Sequence, residues 1–325
     1  MSLPLPDTAD PPTLATFGET MLRLSPPDGE RLEGTDDLAV RVGGAESNVA
    51  ATAARLGCAT EWRSVLPDSP LARRVERGVR EHGVEPVVTR GEGRVGTYYF
   101  EPGGTPRGAN VIYDRAGAAI RSATPDSLGV ETLDHDAVYT SGITPALSET
   151  LAETTATMLA AAGEAGAERV LDLNYRAKLW SPATAAATLR PLFEDVDTLV
   201  VAARDAATVL DRDGDPEVVA RDLATAYDFD TVVITRGEDG ALALNEDVVY
   251  ERTGYPADTV DPVGTGDAFV GGFLATRLAG GGVDDALNAG TATAALKRTL
   301  NGDVAAITPA EVRAVVDADG SAIDR

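Results

Sequence analysis

Cysteine is almost absent from this chain. Cys58 is the only one, so an intrachain disulfide and any zinc site built on cysteine pairs are excluded. Histidine is nearly as scarce. His82 and His135 are far apart, have no ligand partner at metal spacing, and read as surface or boundary residues. Lysine occurs only at Lys178 and Lys297, so the 28 basic residues are nearly all arginine; 52 acidic residues outnumber them and set the net charge at -24. A chain so short of positive charge is a poor partner for a nucleic-acid backbone or an acidic membrane surface. No apolar run is long enough to span a bilayer. The start, MSLPLPDTADPP, has no basic or hydrophobic segment like an export signal. It reads as a loose, proline-rich lead-in, and the chain as cytoplasmic. The acidic residues recur in short clusters such as Asp36-Asp37 and Asp211 to Glu217. Many carboxylates with few lysines point to a cytosol of very high salt, where screening weakens self-repulsion.

What is present is an alternation. With 325 residues and 43% hydrophobic content, the chain can bury a sizeable core. Strands are expected at 14–17, 61–66 and in DAVYTSGI, RVLDLNYR, TLVVAA and TVVITRG, with a hairpin from GALALN to VVYERT. Helices are expected at 45–56, 69–82, 182–192, 268–278 and 284–298, and in SETLAETTATMLAAAGEAG and DPEVVARDLATAY. Strands alternating with helices of this length imply a mainly parallel sheet covered on both faces. Residues 87–120 differ: glycines alternate with short β-prone runs, TYYFE and NVIYD. The expected division is a main α/β domain from about 13–18, 43–86 and 121–315, and a small β element from 19–42 and 87–120.

Four clusters carry candidate chemistry. The first, Asp261-Pro-Val-Gly-Thr-Gly-Asp267, runs straight into a helix. Gly264 and Gly266, flanking Thr265, let amides turn inward, and free amides at a helix start hold anions. Asp267 beside them can accept a proton from an attacking hydroxyl, or simply cap the helix. The following Gly271-Gly272 suggests a close approach. The second cluster, Val42-Gly-Gly-Ala-Glu-Ser-Asn48, offers close backbone at Gly44 and a donor and acceptor at Asn48; a capped loop is the plain reading. In the third, Arg107, Arg115 and Arg176 lie among Tyr98, Tyr99, Tyr113 and Tyr175, with Asp172 and Asn174 near a strand end. Guanidinium groups grip carboxylates at two points, though surface ion pairing and sheet packing would account for the same residues. The fourth, Thr235-Arg236-Gly237-Glu-Asp-Gly240, is a tight turn able to touch phosphate, or a turn without a ligand. There is no GxxxxGK[ST] loop, no GxGxxG after the first strand and no GxSxG elbow at Ser141.

At GGAESNVAATAARLG near the N-terminus and DPVGTGDAFVGGFL near the C-terminus, in the expected order, the sequence resembles the ribokinase-like (PfkB) carbohydrate kinases over about residues 13–315. Within them it looks most like the 2-keto-3-deoxygluconate kinases, through GETMLRLSP, YYFEPGGTPRGANVIYDRAGAA and DLNYRAKLW. The resemblance implies a three-layer α/β/α domain with a small β-sheet lid. It also implies transfer of the ATP γ-phosphate to O6 of 2-keto-3-deoxy-D-gluconate, with magnesium on the nucleotide. Asp267 falls on the general base, and Gly264, Thr265 and Gly266 on the anion hole. Gly44, Asn48, Tyr98, Tyr113, Arg115 and Arg176 fall on the sugar side, with Arg107 and Asn174 as further candidates; Thr235, Arg236, Gly237 and Gly240 fall on the nucleotide side. Relatives pair through their lids, so a homo-oligomer is expected, a dimer or larger. One departure concerns metal. Many relatives carry Asn-x-x-Glu where this chain has VVAARDAATVL, with Ala203 and Ala206 about at the motif positions and Asp205 one place off. Other readings are a kinase for the galactonate epimer or a neutral sugar such as fructose, and a non-catalytic sugar-binding regulator.

Overall fold

Apolar runs and alanine-rich helices sort, in a computed structural model that describes residues 3–6 and 9–322, into two sheets of different kind. In chain order the first half holds β1 (Thr13–Phe17), β2 (Met21–Ser25), β3 (Ala39–Gly43), α1 (Ala45–Arg55), β4 (Ala59–Leu66), α2 (Pro70–Arg80), β5 (Glu85–Arg90), β6 (Thr97–Glu101), β7 (Asn110–Asp114), β8 (Ala137–Ser141), α3 (Ile143–Ala146) and α4 (Glu149–Glu164). The second half holds β9 (Glu168–Asp172), α5 (Pro182–Leu189), β10 (Thr198–Ala202), α6 (Ala203–Leu210), α7 (Pro216–Tyr227), β11 (Thr231–Thr235), β12 (Ala241–Asn245), β13 (Val248–Arg252), α8 (Thr265–Leu278), α9 (Val283–Arg298) and α10 (Pro309–Ala322). Several starts have a local cause: Ser69, Ser148, Ser181 and Asp215 each accept an amide of the helix they precede.

The nine-stranded sheet runs β13-β12-β11-β10-β9-β8-β1-β4-β5. β11 through β5 are parallel, and β12 and β13 form the antiparallel edge hairpin. Its inner strands are buried on both faces, as parallel strands under helices must be, while the edge strands β5 and β13 are partly exposed. Leu14, Tyr139, Val170, Val200 and Val233 pack with α1, α8, α9 and α10. On the opposite face Leu171, Leu199, Val201 and Val232 pack with α5, α6 and α7, and Phe17 and Val138 pack with α4. The Gly271-Gly272 pair is explained here by helix packing. A Cβ on Gly271 would lie 2.5 Å from Thr52 Cβ of α1, and one on Gly272 would lie 2.6 Å from Thr293 Oγ1 of α9.

The small sheet runs β3-β2-β6-β7, with β2 and β6 parallel and the outer pairs antiparallel. Its expected bounds need correction. Residues 87–90 belong to β5, which adds in parallel to β4 at the edge of the large sheet. After β7 the chain returns at once to the main core, where Ala118, Ala119 and Ile120 pack on Phe17. The apolar Val87-Val88 pair satisfies the large sheet equally well, and sequence texture does not separate the two. The lead-in is also tighter than expected. Leu3 is buried, with Leu5 against the same core; residues 1–2 and 7–8 of that segment lie outside the described residues.

Candidate active site

The carboxyl ends of β9, β10 and β11, the start of α8 and the inner face of the small sheet enclose a cavity of about 1040 Å³. This is where open α/β sheets place ligands.

The start of α8 forms one wall. Gly264 caps the helix at φ +80°, and a Cβ there would lie 1.9 Å from the Asp303 carbonyl oxygen, so only glycine fits. Gly266 is the reverse case: a Cβ there would meet nothing within 4 Å, and the residue borders the cavity. The Thr265 hydroxyl donates to Pro262 O at 2.8 Å. The Thr265 amide donates to Pro262 O at 3.3 Å, and the next amides of the first turn have no partner within the helix and belong to residues that line the cavity. Asp267 is the third residue of α8, not its cap. Its Oδ2 accepts a hydrogen bond from Asn48 Nδ2 at 2.7 Å, across from α1. Burial pushes the Asp267 carboxyl up to about 6, against the lowering influence of the Asn48 bond and of Arg176; Asp303 adds to the rise. A buried carboxylate of raised basicity beside free amides is equipped to take a proton from a hydroxyl.

The small sheet and β9 supply the next wall. Gly44 caps α1, and a Cβ there would lie 2.1 Å from Glu19 O, so the backbone comes close at that point. Tyr98 and Tyr113 face the cavity with ring centroids 6.0 Å apart, and the Tyr98 hydroxyl donates to Asp303 Oδ2. Arg115 lines the cavity too, but its charge is met from within: Nε donates to Glu19 Oε2 at 2.8 Å, and Nη2 contacts the same oxygen. A buried carboxylate 96 residues away thus meets Arg115, which lines the cavity as an ion-paired sugar-side candidate. Arg176 is the available cation. It is half-buried, donates to Tyr175 O at 3.3 Å, and has no carboxylate within ion-pair distance among the described residues. Asn174, at φ 40°, turns its amide and side chain onto Asp172. Arg107 stays outside the cavity, where it pairs with Glu101 at 2.6 Å. Tyr99 lies on the opposite face of β6, and Tyr175 packs in the core, its hydroxyl donating to Trp180 O at 3.0 Å.

At the far end Thr235, Arg236, Gly237 and Gly240 line the cavity as a group. Gly237 and Gly240 both have positive φ; a Cβ on Gly240 would lie 2.0 Å from Arg252 O, while Gly237 opens to free space. Arg236 is held by Glu251 at 2.6 Å and by Asp239 O at 3.1 Å. Sequence reasoning missed several lining residues: Glu19, Asp303 and Arg298. Asp303 lies in a loop after α9 with no periodic or motif signal. Glu46, in the first turn of α1, also lines the cavity, and its Oε1 accepts from Ser141 Oγ at 2.6 Å and Thr144 Oγ1 at 2.9 Å.

Among the described residues no group of three or more His, Cys, Asp or Glu side chains is placed to hold a metal ion. Two carboxylates at the cavity's middle, Asp172 and Asp205, do border it. Burial pushes Asp172 up to about 7, helped by Asp267, and raises Asp205 as well. Such sparse provision fits a magnesium ion that takes most of its ligands from phosphates and water.

The model for the pfkB family carbohydrate kinases matches residues 12–310. The chain belongs to this family. Among the pfkB kinases it is 56% identical to the 2-dehydro-3-deoxygalactonokinase of Haloferax volcanii over 96% of this chain and 99% of that one. It is 29% identical to the 2-dehydro-3-deoxygluconokinase of Thermoproteus tenax, over 94% of each. The crystal structure of 2-dehydro-3-deoxygluconokinase from Thermotoga maritima superposes with a TM-score of 0.89 at 32% identity, covering 95% of this chain and 99% of that one. A ribokinase-like structure from E. coli in complex with ATP and Mg2+ has a TM-score of 0.85 at 18% identity, a likeness of fold. As a pfkB kinase the protein is an enzyme, of a family whose kinases use ATP.

Proposed function

We propose that the protein transfers the γ-phosphoryl group of ATP to O6 of a 2-keto-3-deoxyhexonate, with the galactonate epimer preferred. The observation that carries the sugar-acid reading is Arg176: a cation with no carboxylate within ion-pair distance among the described residues, in the same cavity as Asp267. The preference for galactonate rests on the 56% identity to the Haloferax volcanii enzyme. The gluconate epimer, favoured by sequence resemblance alone, stays as the second reading because the Thermoproteus tenax and Thermotoga maritima proteins are named for it.

In this reading Asp267 accepts the proton of the O6 hydroxyl as that oxygen attacks the γ-phosphorus. The bond from phosphorus to the β–γ bridging oxygen breaks, and ADP leaves with the electron pair. Amides of the Gly264–Asp267 turn bind the equatorial oxygens, where charge builds up in transfer. Arg176 holds the sugar carboxylate, and Asn48 orients Asp267. Tyr98 and Tyr113 cover the sugar and exclude water, the competing acceptor. Magnesium, when bound, neutralises phosphate charge; Asp172 and Asp205 are the residues that would hold it, directly or through water.

The test is ATP-dependent phosphorylation of both keto-deoxy acids, fructose, ribose and gluconate by the purified chain with magnesium in molar potassium chloride. Turnover of the two keto-deoxy acids far above the others is expected, the galactonate ahead. Arg176→Gln should raise KM for the acid about 10- to 100-fold, the worth of one charge-assisted pair. Preference for fructose, or an unchanged KM in the variant, would remove the carboxylate role of Arg176. Sugar binding without ATP turnover would indicate a regulator instead.

A further inference from the structure

Arg23 belongs to the small sheet by sequence but to the anion-binding turn by contact. It lies on β2, only 2% exposed. Every nitrogen of its guanidinium is engaged: Nε donates to Ser25 Oγ at 3.0 Å, Nη1 to Asp303 Oδ1 at 2.6 Å and Nη2 to Asp261 Oδ2 at 2.6 Å. The group lies 4.2 Å from the ring centre of Phe100 on β6.

The two carboxylates it joins shape the start of α8. Asp261 opens the turn; its Oδ1 accepts from Val263 N at 3.0 Å, its Oδ2 from Gly302 N at 3.1 Å, and its carbonyl from the buried Lys297 Nζ at 3.0 Å. Asp303 presses its carbonyl oxygen against Gly264 and takes the Tyr98 hydroxyl on its other carboxylate oxygen. A continuous chain of contacts thus runs from a cavity-facing tyrosine of the small sheet through Asp303, Arg23 and Asp261 to the amides of the turn. Burying three charges is costly, and well-packed apolar residues would often stabilise a fold as well. What a planar fork adds is the ability to fix two carboxylates at once, which a lysine ammonium cannot do in the same geometry.

We propose that Arg23 is a positioning residue that couples the small sheet to the anion hole. The turn has its transfer-ready shape only when the small sheet is seated over the cavity. Arg23 acts through Asp261 and Asp303, without itself reaching the reacting atoms. The inference rests on the phosphoryl-transfer reading of the α8 start, and it gives a role to a residue of the GETMLRLSP stretch that none of the four candidate clusters includes.

The experiment uses the full chain with Arg23→Lys and Arg23→Met, and reads amide exchange beside steady-state kinetics. Exchange at the hydrogen-bonded amides of Val263, Thr265 and Ala268 should quicken about tenfold or more in both variants, while amides in the middle of α1 stay as in the parent. The kcat should fall about 10- to 100-fold, less for lysine than for methionine, with KM for ATP and sugar within about threefold, the pattern for an interaction felt only in the transition state. Asp261→Asn should lower kcat in the same way, and combining it with Arg23→Met should add little. Unchanged exchange at Val263, Thr265 and Ala268 would overturn the proposal. So would a lower melting temperature with kcat intact below it, since that marks a merely structural ion pair. If the methionine variant does not fold, the lysine variant carries the test. If the parent phosphorylates neither keto-deoxy acid, the substrate reading fails, while exchange still decides the coupling.

Discussion

Asp267 is a carboxylate placed where the protein disfavours its charge. Its 8% exposure leaves it little water, and the one hydrogen bond to Asn48 only partly offsets that. With its carboxyl pushed up to about 6, the base is charged at neutral pH and becomes protonated as pH falls through that value. The kcat/KM of the parent should therefore show an acid limb near pH 6. Asp267→Asn should lower kcat by about 10²- to 10⁴-fold, the usual range for a general base, and abolish that limb. The same shift has a stability consequence. A carboxyl whose native value lies above its unfolded one binds its proton more tightly when folded. Its favourable contribution is complete below the unfolded value near 4 and is lost as pH rises through about 6. The asparagine variant should thus be more stable than the parent at pH 8, by on the order of 1 kcal/mol, with the gap closing near pH 4. Thermal melts at the two pH values check this, and a variant less stable at pH 8 would contradict the assigned cause.

The start of α8 is an element whose two glycines have opposite tasks, and they can be separated. Gly264→Ala forces a Cβ toward the Asp303 carbonyl at φ +80°, so the fold should lose more than about 1 kcal/mol. Gly266→Ala meets nothing within 4 Å, and alanine favours a helix by about 1 kcal/mol over glycine. That variant should keep or raise the melting temperature while its methyl group stands in the cavity and lowers kcat at least about tenfold. An active Gly266→Ala enzyme would remove the anion hole from this turn. Both glycines were legible in the sequence because the motif is local: a turn, a helix start and an acid within seven residues. The same holds for most of the strands and helices, where periodicity and caps act over a few residues. What stayed illegible is long-range. Arg115 meets Glu19 at a separation of 96 residues and Arg23 meets Asp303 at 280, and no local pattern records either. Without those partners Arg115 reads as a free cation, Arg107 is indistinguishable from it, and Asp303 is one more loop carboxylate. The assignment of 87–90 failed for a similar reason, since a short β-prone run fits either sheet until its neighbour is known.

The whole molecule carries a charge of -24, and its cavity adds to the problem that this poses for anionic substrates. Glu19, Asp172, Asp205, Asp267 and Asp303 all border the space that must admit a sugar acid and a nucleotide. On the surface the acidic clusters, Asp36-Asp37 among them, are exposed and repel one another. Salt acts on these two populations differently. Screening shortens from about 10 Å at 0.1 M to about 3 Å at 1 M, which silences exposed charges but barely reaches buried pairs. Arg23 with Asp261, at 2% and 3% exposure, belongs to the second kind, so the anion-binding turn should keep its shape across that range. Raising potassium chloride from 0.1 to about 2 M should accordingly raise the melting temperature and lower KM for ATP, most steeply below about 1 M. Choline chloride at equal ionic strength separates screening from specific cation binding. If it reproduces the potassium effect, diffuse repulsion is the cause; if the melting temperature responds to potassium alone, the stabilising cations occupy defined sites, and the screening argument fails.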